Sequence, residues 1–595
     1  MASSRSLVGR RFEPLPLGSI RPEGWLGAQL RIQAEGLSGH LDELWPDVAD
    51  SGWIGGQSEG WERGPYWLDG VVPLAYLLDD ARLQAKVERW CDYILTHQQE
   101  DGWLGPLRSA SRQGYPHDPW PVYVALKALT QYHEATGDER VPVAIARFLR
   151  RLDTLLDEQP LRSWGRMRWA DLVLTIHWLW ERSREDWLLE LAAKVRAQGF
   201  DWRYHFDHFA QRERCLPEEC DLTTHIVNNA MAIKAPGVWY RQSGDPADRD
   251  AALQTIDLLD RYHGQATGVF TGDEHLAGRS PSQGTELCAV VEYMYSLETL
   301  LPVLGEPKLA DRLERIAYNA LPATLTPEMW AHQYDQQANQ VVCKVAPERV
   351  YTSNGPDSNL FGLEPNFGCC TANLHQGWPK LASHLWMRTP DGGLAAVAYA
   401  PSTVRTEVGG RQVEVTLETD YPFGDSLTFR VRADQRVRFQ LYLRVPAWAE
   451  GPQLVMPDGS RSSPTPGEFH VLDREWERGD VITLRLPAGA RLESRHRGAV
   501  AISRGPLVYA LRLEEEWRQV GGELPAADWE VYPRSSWNYA LLVDGANPEA
   551  DLRFQPGRVG ERPFSPDGAP VRVTVKGRQV PEWALERNAA GPVPE

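Results

Sequence analysis

Three cysteines and one glutamate are the residues whose types and spacing most clearly indicate chemistry. Glu286 and Cys288 are separated by one residue, and the adjacent pair Cys369–Cys370 begins 81 residues after Cys288. Three thiols and a carboxylate form a complete tetrahedral ligand set for Zn²⁺. The spacing is not that of a zinc ribbon, so the four ligands have to converge from separate segments of the chain.

The backbone around these residues has to be partly irregular. Residues i and i+2 do not share a helix face, so Glu286 and Cys288 can bind one ion only where a helix begins. The segment PSQGT (281–285) supplies a non-helical start, and Gly368 precedes the cysteine pair. Spacing alone leaves two alternatives open: these cysteines are core residues without a metal, or the zinc is purely structural.

A second metal site is a weaker hypothesis. Cys215 and Cys220 have the spacing of a ligand pair, and three histidines stand near them in the sequence, His205, His208 and His225. A single histidine is more often a structural residue than a ligand. We expect Cys91 and Cys343 to be core residues.

Composition excludes several classes of protein. The 595 residues include 63 Lys and Arg against 81 Asp and Glu, a formal net charge of -18. This balance argues against a nucleic-acid partner, because phosphate binding requires clustered Lys and Arg. No apolar run approaches the roughly 20 residues of a membrane helix. The 24 tryptophans suit either a carbohydrate-binding protein, since indole rings stack on sugar faces, or a large helical core.

The N-terminal segment and the cysteine count predict a cytoplasmic protein. Residues 1–20 contain basic side chains but no following apolar stretch, so they do not form a secretory signal. Seven cysteines, an odd number, fit a reducing compartment better than a disulfide framework.

Residues 1–392 are predicted to form one helical domain. In the segment LCAVVEYMYSLETLL (287–301), apolar residues follow helical spacing. Two other segments end in Gly-Asp, at Gly137-Asp138 and Gly244-Asp245, where glycine ends one helix and aspartate caps the next. Repeated along the chain, this pattern predicts helical hairpins stacked into a toroid of roughly a dozen helices.

The remainder of the chain changes to an alternating pattern. In RQVEVTLE (411–418) and SLTFRVRA (426–433), apolar and polar residues alternate. This predicts antiparallel strands with one buried face, and therefore a β-sandwich domain over 393–515. The turn-like segment TPDGG (389–393) marks the boundary before it. Residues 516–595, rich in Pro, Gly and charge, are predicted to form a second β-rich C-terminal region.

The chain resembles glycoside hydrolase family 127, the β-L-arabinofuranosidases and their relatives. A Glu-Thr-Cys tripeptide and a downstream Cys-Cys pair mark that family, and Glu286-Leu287-Cys288 and Cys369-Cys370 match them here. The segments PHDPWPVYVALKALTQYHEATGD, YLRVPAW and RGPLVYAL are also similar. The resemblance covers most of the chain, from about residue 15 to at least residue 510.

This resemblance implies an (α/α)6 barrel followed by β-sandwich domains. It also implies a retaining exo-glycosidase that acts on a small furanoside or related sugar. Cys369 would be the nucleophile, and zinc would be held by Glu286, Cys288, Cys369 and Cys370. A free thiol with a pKa near 8.5 is mostly protonated at neutral pH, whereas a metal-bound thiol is deprotonated, so such a nucleophile is chemically consistent. The implied partner is a small carbohydrate. The oligomeric state is left open between a monomer and a homodimer.

The acid/base residue is where the sequence departs from the family. The family's Gly-Glu-Ala-Phe stretch lies sixteen residues before the metal-binding glutamate, and Phe270 occupies that position here. In the shorter loop that follows, Glu274 is our first candidate for the acid/base and Asp273 the second. Arg279 could pair with either acid.

Five further residues are candidates for sugar contact. His117 lies where the family has a sugar-contacting histidine. His225 matches the histidine of the family's Gly-His-Ala-Val-Arg motif, with Thr224 in place of the glycine and Asn228 in place of the arginine. The other three are Tyr334, Trp67 and Asp69.

Two other functions are weighed against this one. Related α/α barrels include uronyl hydrolases, which use aspartate pairs, and sugar epimerases, which use histidine pairs. The histidines that could serve an epimerase are His117, His205, His208 and His225, but the cysteine pair would then have no role. The third hypothesis is a non-catalytic sugar-binding protein with a structural zinc.

Overall fold

The front of the chain forms helices in a computed structural model that describes residues 6–107 and 116–594. Residues 1–5, part of the basic N-terminal segment, lie outside the described residues. In chain order the helices are α1 Gly24–Glu35, α2 Leu37–Leu44, α3 Pro46–Ala49, α4 Arg63–Leu78, α5 Ala81–Thr96, α6 Trp120–Thr136, α7 Arg140–Glu158, α8 Ser163–Met167, α9 Trp169–Ser183, α10 Asp186–Gln198, α11 Trp202–Asp207, α12 Ile226–Ala232, α13 Ala235–Ser243, α14 Pro246–His263, α15 Leu287–Leu304, α16 Pro307–Arg315, α17 Leu321–Ala323, α18 Gly368–Asn373 and α19 Gly377–Ser383.

The helices close into a ring, as expected for an α/α toroid. Within the described chain, six inner segments pack in sequence order: α4, α6, α9, α12 with α13, α15, and α18 with α19, which returns to α4. Each of the first five inner segments also packs against the helix that follows it, on the outside of the ring. The predicted turns are confirmed: Gly137 and Gly244 end α6 and α13 with left-handed φ of 70° and 65°, and Asp245 caps α14.

Helix α15 is almost entirely buried in this ring. Of the helices described, it is the one long and apolar enough to cross a membrane, with a mean hydropathy of 1.4. However, 94% of its residues are buried inside the molecule, so the barrel core accounts for its apolar composition.

A set of buried charges lies along the inside of the ring and is called the axial charge network below. Lys380 lies 2.6 Å from Asp69, which lies 3.4 Å from Lys127. Asp171 lies 3.7 Å from Lys127 and 3.1 Å from Lys234. Every member is at most 4% exposed. The inner segments contribute one member each: Asp69 of α4, Lys127 of α6, Asp171 of α9, Lys234 at the start of α13, Glu292 of α15 and Lys380 of α19.

The rear of the chain forms β-strands. In chain order these are β1 Glu13–Pro14, β2 Ile20–Pro22, β3 Gly284–Glu286, β4 Asp335–Gln337, β5 Trp386–Arg388, β6 Leu394–Ala396, β7 Ser402–Val408, β8 Arg411–Thr419, β9 Ser426–Ala433, β10 Val437–Arg444, β11 Gln453–Val455, β12 Arg461–Ser462, β13 Phe469–Trp476, β14 Val481–Arg485, β15 Ala490–Ser494, β16 Val500–Arg504, β17 Leu507–Tyr509, β18 Glu515–Gly521, β19 Asp528–Pro533, β20 Tyr539–Leu542, β21 Arg553–Pro556, β22 Val571–Thr574, β23 Lys576–Gln579, β24 Leu585–Glu586 and β25 Ala589–Ala590.

Two sheets pack face to face as a β-sandwich. One has the strand order β1-β5-β6-β10-β13 and the other β12-β11-β14-β9-β8-β7-β2. All neighbours are antiparallel except β6 and β10, which are parallel. Trp386 of the first sheet contacts Phe429 of the second with ring centroids 5.9 Å apart. Because β1 and β2 precede α1, the chain passes through the sandwich before it enters the barrel.

The C-terminal part contains smaller sheets. Strands β15, β16 and β17 share a small core with residues 541–575, so this core draws on both sides of residue 515, the predicted end of the sandwich domain. The hairpin β18–β19 contacts the barrel instead, where Val531 pairs with Cys343 and Trp529 pairs with Phe361.

The axial charge network generates a stability prediction. Replacing Lys127 by Met removes the central cation and leaves Asp69 and Asp171 undercompensated in the core. Breaking a buried ion network in this way costs about 3–5 kcal/mol of unfolding free energy. Chemical denaturation should show this loss. Glu418→Gln, which breaks an exposed pair with Arg430, is the control and should leave the unfolding midpoint nearly unchanged. Equal effects of the two substitutions would contradict the prediction.

Candidate metal centre and active site

The reactive side chains lie at the amino-terminal ends of the inner helices. Glu286 immediately precedes α15, Cys288 lies in its first turn, and Cys369–Cys370 lie in the first turn of α18. His225 caps α12 and Arg168 immediately precedes α9. The first-turn amides and the helix dipoles make this end of the ring electropositive, which stabilises anionic groups such as thiolates.

Glu286, Cys288, Cys369 and Cys370 converge as the sequence predicts and are called the cysteine cluster below. Their potential ligand atoms all lie within 4.8 Å of one another. Glu286 Oε1 lies 3.8 Å from Cys369 Sγ and 3.9 Å from Cys370 Sγ. Cys369 is partly exposed, whereas Cys288 and Cys370 are buried. The cluster could hold a metal ion, and Cys369 is the thiol that a molecule from outside can reach.

The donor set fits a thiophilic divalent metal. Glu286 is 1% exposed, and its Oε2 atom has no hydrogen-bond partner among the described residues. A buried carboxylate oxygen without a partner is costly unless a cation satisfies it. Three sulfur donors and one carboxylate oxygen match the preferences of zinc.

A strand-to-helix junction allows Glu286 and Cys288 to face the same point. Glu286 ends β3, which pairs with β4, and Leu287 N–H donates to Tyr334 O as α15 begins. The second segment depends on Gly368, where a Cβ atom would lie 2.4 Å from the ring of Trp45. A side chain there would displace the start of α18 and with it the cysteine pair.

The three thiols differ in their tendency to ionise. Hydrogen bonds from the Cys288 and Cys370 thiols hold the pKa of Cys369 well below its usual value, although burial opposes this shift. Burial raises the pKa of Cys288 and of Cys370. Cys369 is therefore the thiol of the cluster that most readily carries negative charge.

Glu274 has the properties of a group that exchanges protons near neutral pH. Burial, reinforced by the charges of Asp273 and Cys369, raises its pKa to about 7. Val227 N–H donates to His225 Nδ1, so the proton of this neutral histidine resides on Nε2, which lies 3.3 Å from Glu274 Oε2. Burial lowers the pKa of His225 to about 3. The Glu274 side chain is 41% exposed and can meet a substrate.

Asp273, the second acid/base candidate, is held in a structural role. Thr352 O–H and Ser353 N–H donate to its Oδ2 at 2.5 and 2.7 Å, and His275 Nδ1 lies 2.8 Å from Oδ1. Burial alone would raise the pKa of Asp273, but these hydrogen bonds lower it to about 2. Arg279 is exposed, and within the described chain it forms no ion pair with either acid.

Two of the five predicted sugar contacts lie beside the cysteine cluster. His225 is described above. Tyr334 is buried, contacts Phe367 with ring centroids 5.9 Å apart, and has its pKa raised by burial and by Glu286 and Cys369. Its hydroxyl lies 3.5 Å from Asn354 Nδ2.

Trp67 and Asp69, two further candidates for sugar contact, are both fully buried. Trp67 is fully buried, donates its indole N–H to Ser38 O and packs on Trp90. Asp69 belongs to the axial charge network. The sequence alone does not show that the neighbouring helices bury the side chains of Trp67 and Asp69 on α4.

His117 lies away from the cysteine cluster. Its ring contacts Trp103 edge-on at 4.8 Å, and burial together with Arg151 lowers its pKa. Across the residues that the structure describes, no contact joins His117 to the cluster. Residues 108–115, immediately before this segment, are not among them.

The histidines of the epimerase hypothesis do not converge either. His205 packs among Phe200, Trp202 and Phe206, whereas His208 stacks on the exposed Tyr204.

The other cysteines form no second metal site in the described part of the chain. The Sγ atoms of Cys215 and Cys220 lie 3.9 Å apart, but the cysteine cluster is the one group of three or more ligands found there. Cys91 and Cys343 are buried core residues, as predicted.

Two charged residues of the site escaped the sequence analysis. Arg168 donates from Nε to Asn228 Oδ1 at 2.8 Å, and Asn228 is the residue that replaces the arginine of the family motif. Glu62 precedes α4 and lies 3.8 Å from Arg168. The one sequence signal for this pair is the density of tryptophans around Arg168, in RSWGRMRW.

Two family models match this chain, one over the helical domain and one over the β-sandwich. A family model described as the β-L-arabinofuranosidase, glycoside hydrolase family 127 catalytic domain, matches residues 32–383. A model of the middle domain of the same family matches residues 393–488. No curated protein matches the chain.

Three solved structures share the fold. A glycoside hydrolase has a TM-score of 0.67 at 14% identity, covering 90% of this chain and 97% of its own. A family 127 β-L-arabinofuranosidase from Geobacillus stearothermophilus T6 has a TM-score of 0.64 at 18% identity, covering 86% and 92%. A third, a family 127 β-arabinofuranosidase, has a TM-score of 0.66 at 16% identity, covering 91% and 93%.

The cysteine cluster generates a metal-binding prediction. Titration of the metal-free protein with Co²⁺ should saturate at one equivalent and produce sulfur-to-cobalt charge-transfer absorption. Cys288→Ser should weaken this binding by about 100-fold or more, because a thiolate ligand is lost. Cys220→Ser, at a partly exposed cysteine outside the cluster, is the matched control and should bind as the unmodified protein does. Undiminished binding in Cys288→Ser would refute the assignment.

Proposed function

The chain belongs to glycoside hydrolase family 127, and on that premise we propose that it is a retaining exo-glycosidase. The proposed substrate is a terminal β-L-arabinofuranosyl or closely related furanosyl group. The observation that carries the proposal is the meeting of Cys369, a partly exposed thiol of low pKa, with Glu274, a carboxyl group that titrates near neutral pH.

Glu286, Cys288, Cys369 and Cys370 are the residues that would hold a zinc ion. A bound zinc ion would keep the sulfur of Cys369 deprotonated at neutral pH, and therefore nucleophilic. The carboxylate and the two buried thiols fix the position of Cys369 from three sides. Cys369 is left as the member of the set that faces the substrate.

In the first half of the reaction, Cys369 Sγ attacks the anomeric carbon of the sugar. The bond from that carbon to the leaving oxygen breaks, and Glu274 donates its proton to this oxygen. His225 Nε2–H then faces a newly formed carboxylate and stabilises it. The product of this half is a glycosyl-cysteine and a free alcohol.

In the second half, Glu274 acts as a base. Its carboxylate takes a proton from water, the water oxygen attacks the anomeric carbon, and the carbon–sulfur bond breaks. Two displacements at the same carbon restore its original configuration. Glu274 regains its proton and Cys369 its negative charge, so the enzyme returns to its starting state.

The alternatives find less support. An epimerase based on histidine pairs requires histidines that face one another, whereas His117, His205 and His208 lie in different surroundings. A purely structural metal leaves the exposure of Cys369 without explanation. It also leaves the raised pKa of Glu274 without a role, since such perturbed groups concentrate at reactive sites.

Glu274 generates a pH prediction. As the general acid it must be protonated, so kcat/KM should fall as the pH rises through about 7. Glu274→Gln should lower kcat/KM by about 10²–10⁴-fold on a poor leaving group and remove this alkaline limb. The loss should be much smaller on a 4-nitrophenyl glycoside, whose leaving group needs less protonation.

Glu213→Gln is the control for this experiment. Glu213 is an exposed carboxylate near the same loop, and its replacement should leave both the rate and the pH profile unchanged. A Glu274→Gln profile that keeps the alkaline limb would assign the proton to another group.

Cys369 generates a prediction about the nucleophile. Cys369→Ala should abolish hydrolysis of 4-nitrophenyl β-L-arabinofuranoside, while Cys220→Ala retains it. Proton NMR of the first-formed sugar should show the β configuration, because two displacements restore it. An α-configured first product, or an active Cys369→Ala enzyme, would exclude the covalent mechanism.

A further inference from the structure

We propose that Glu62 and Arg168 form a subsite that binds two adjacent hydroxyl groups of the sugar next to Cys369. The proposal rests on the proposed function, because it places the sugar in the same pocket. It adds a ligand class, a neutral vicinal diol, and the two side chains that recognise it.

Arg168 is held rigidly enough to act as a recognition group. Its Nε donates to Asn228 Oδ1 at 2.8 Å, and its Nη1 donates to Tyr66 Oη at 3.4 Å. The guanidinium lies over the rings of Trp120 and Trp164, at 4.3 and 4.5 Å from their centroids. The residue is only 6% exposed. Its Nη2 edge has no hydrogen-bond partner within the described chain and is available to a ligand.

Glu62 supplies an acceptor beside this donor. Its Oε2 accepts from the indole N–H of Trp120 and lies 3.8 Å from Arg168 Nη1. No hydrogen bond reaches its Oε1 from the residues described. Trp120 thus contacts both members, through its ring face and its N–H group, and sets their separation.

A series of side-chain contacts joins the pair to the reacting groups. Trp164, which packs on Arg168, also contacts the ring of His225 at 5.1 Å, and His225 reaches Glu274. Cys369 is also close enough to affect Glu62. Burial raises the pKa of Glu62 to about 7, and the negative charge of Cys369 contributes to this rise.

Charge and geometry favour a neutral diol over an acidic sugar. Arg168 already faces Glu62, and the negative charge of Cys369 acts on the same pair, so a sugar carboxylate would add uncompensated negative charge. One hydroxyl can donate to Glu62 while its neighbour accepts from Arg168. A site built to bond hydroxyl groups strongly rejects an analogue that lacks one, because buried polar groups then stay unpaired.

The test combines two protein variants with substrates that lack one hydroxyl. kcat/KM is measured for the holoenzyme, Glu62→Gln and Arg168→Lys on 4-nitrophenyl β-L-arabinofuranoside and its 2-deoxy and 3-deoxy analogues. Removing either recognised hydroxyl should cost the unmodified enzyme about 10²-fold or more. In each variant, removing the hydroxyl that pairs with the substituted residue should cost less than about threefold, because its matched charged partner is already lost. Losses that multiply independently would overturn the proposal.

The matched control is the pair Glu134 and Arg182 at the other end of α9. Arg182 also pairs with a glutamate and lies over a tryptophan, Trp178, at 3.8 Å. Glu134→Gln and Arg182→Lys should preserve the full discrimination between the complete and the deoxy substrates. Loss of discrimination in these controls would show that the effect is general and would overturn the proposal.

A binding measurement separates this proposal from the proposed function. Calorimetry gives the Kd of methyl β-L-arabinofuranoside, its deoxy analogues and its 5-carboxylate analogue. If no furanoside is hydrolysed but binding still depends on the hydroxyl and on Glu62, the proposed function fails and the subsite stands. If hydrolysis occurs without such dependence, only the subsite fails. Tighter binding of the carboxylate, or no binding of any furanoside, also overturns the subsite.

Discussion

The buried ion pairs at the centre of the ring constrain everything built on it. Taking charges out of water is so costly that each must keep its partners, and the axial charge network draws on every inner segment. Burial would raise the pKa of Glu292, but the surrounding lysines lower it to about 2. Glu292 lies one turn after Cys288 and accepts from Asn373 and Gln376, both at 3.2 Å. The network therefore fixes the register between the two cysteine-bearing segments.

That register explains why a reactive centre forms at one end of the ring. The inner segments start at the same end, so their first turns present free amides and positive dipole ends to one pocket. Cys369, whose pKa is held well below its usual value, lies there together with the other members of the cysteine cluster. On α15, Glu292 of the axial charge network and Cys288 of the cysteine cluster are a single helical turn apart, so the buried core directly supports the reactive centre.

Local patterns in the sequence predicted much of the fold and the centre of the site. Helical periodicity and Gly-Asp caps act within a few residues, and the cysteine cluster follows from two short motifs. The rest depends on distant contacts. Trp67 and Asp69 have residue types that bind sugars, but neighbouring helices bury them. Arg168 and Glu62 are far apart in sequence and meet only when the ring closes, so no spacing could reveal them.

Asp273 and Glu274 show how environment, not residue type, assigns chemistry. They are adjacent carboxylic acids in one loop, yet their pKa values are about 2 and about 7. Asp273 gains hydrogen bonds from Thr352, Ser353 and His275 that outweigh its burial, so it stays charged and holds the loop. That fixed charge in turn raises the pKa of Glu274. The fixed charge of Asp273 thus helps to bring the pKa of Glu274 into the range in which a general acid works near neutral pH. The loop that positions Glu274 therefore also sets its acid strength.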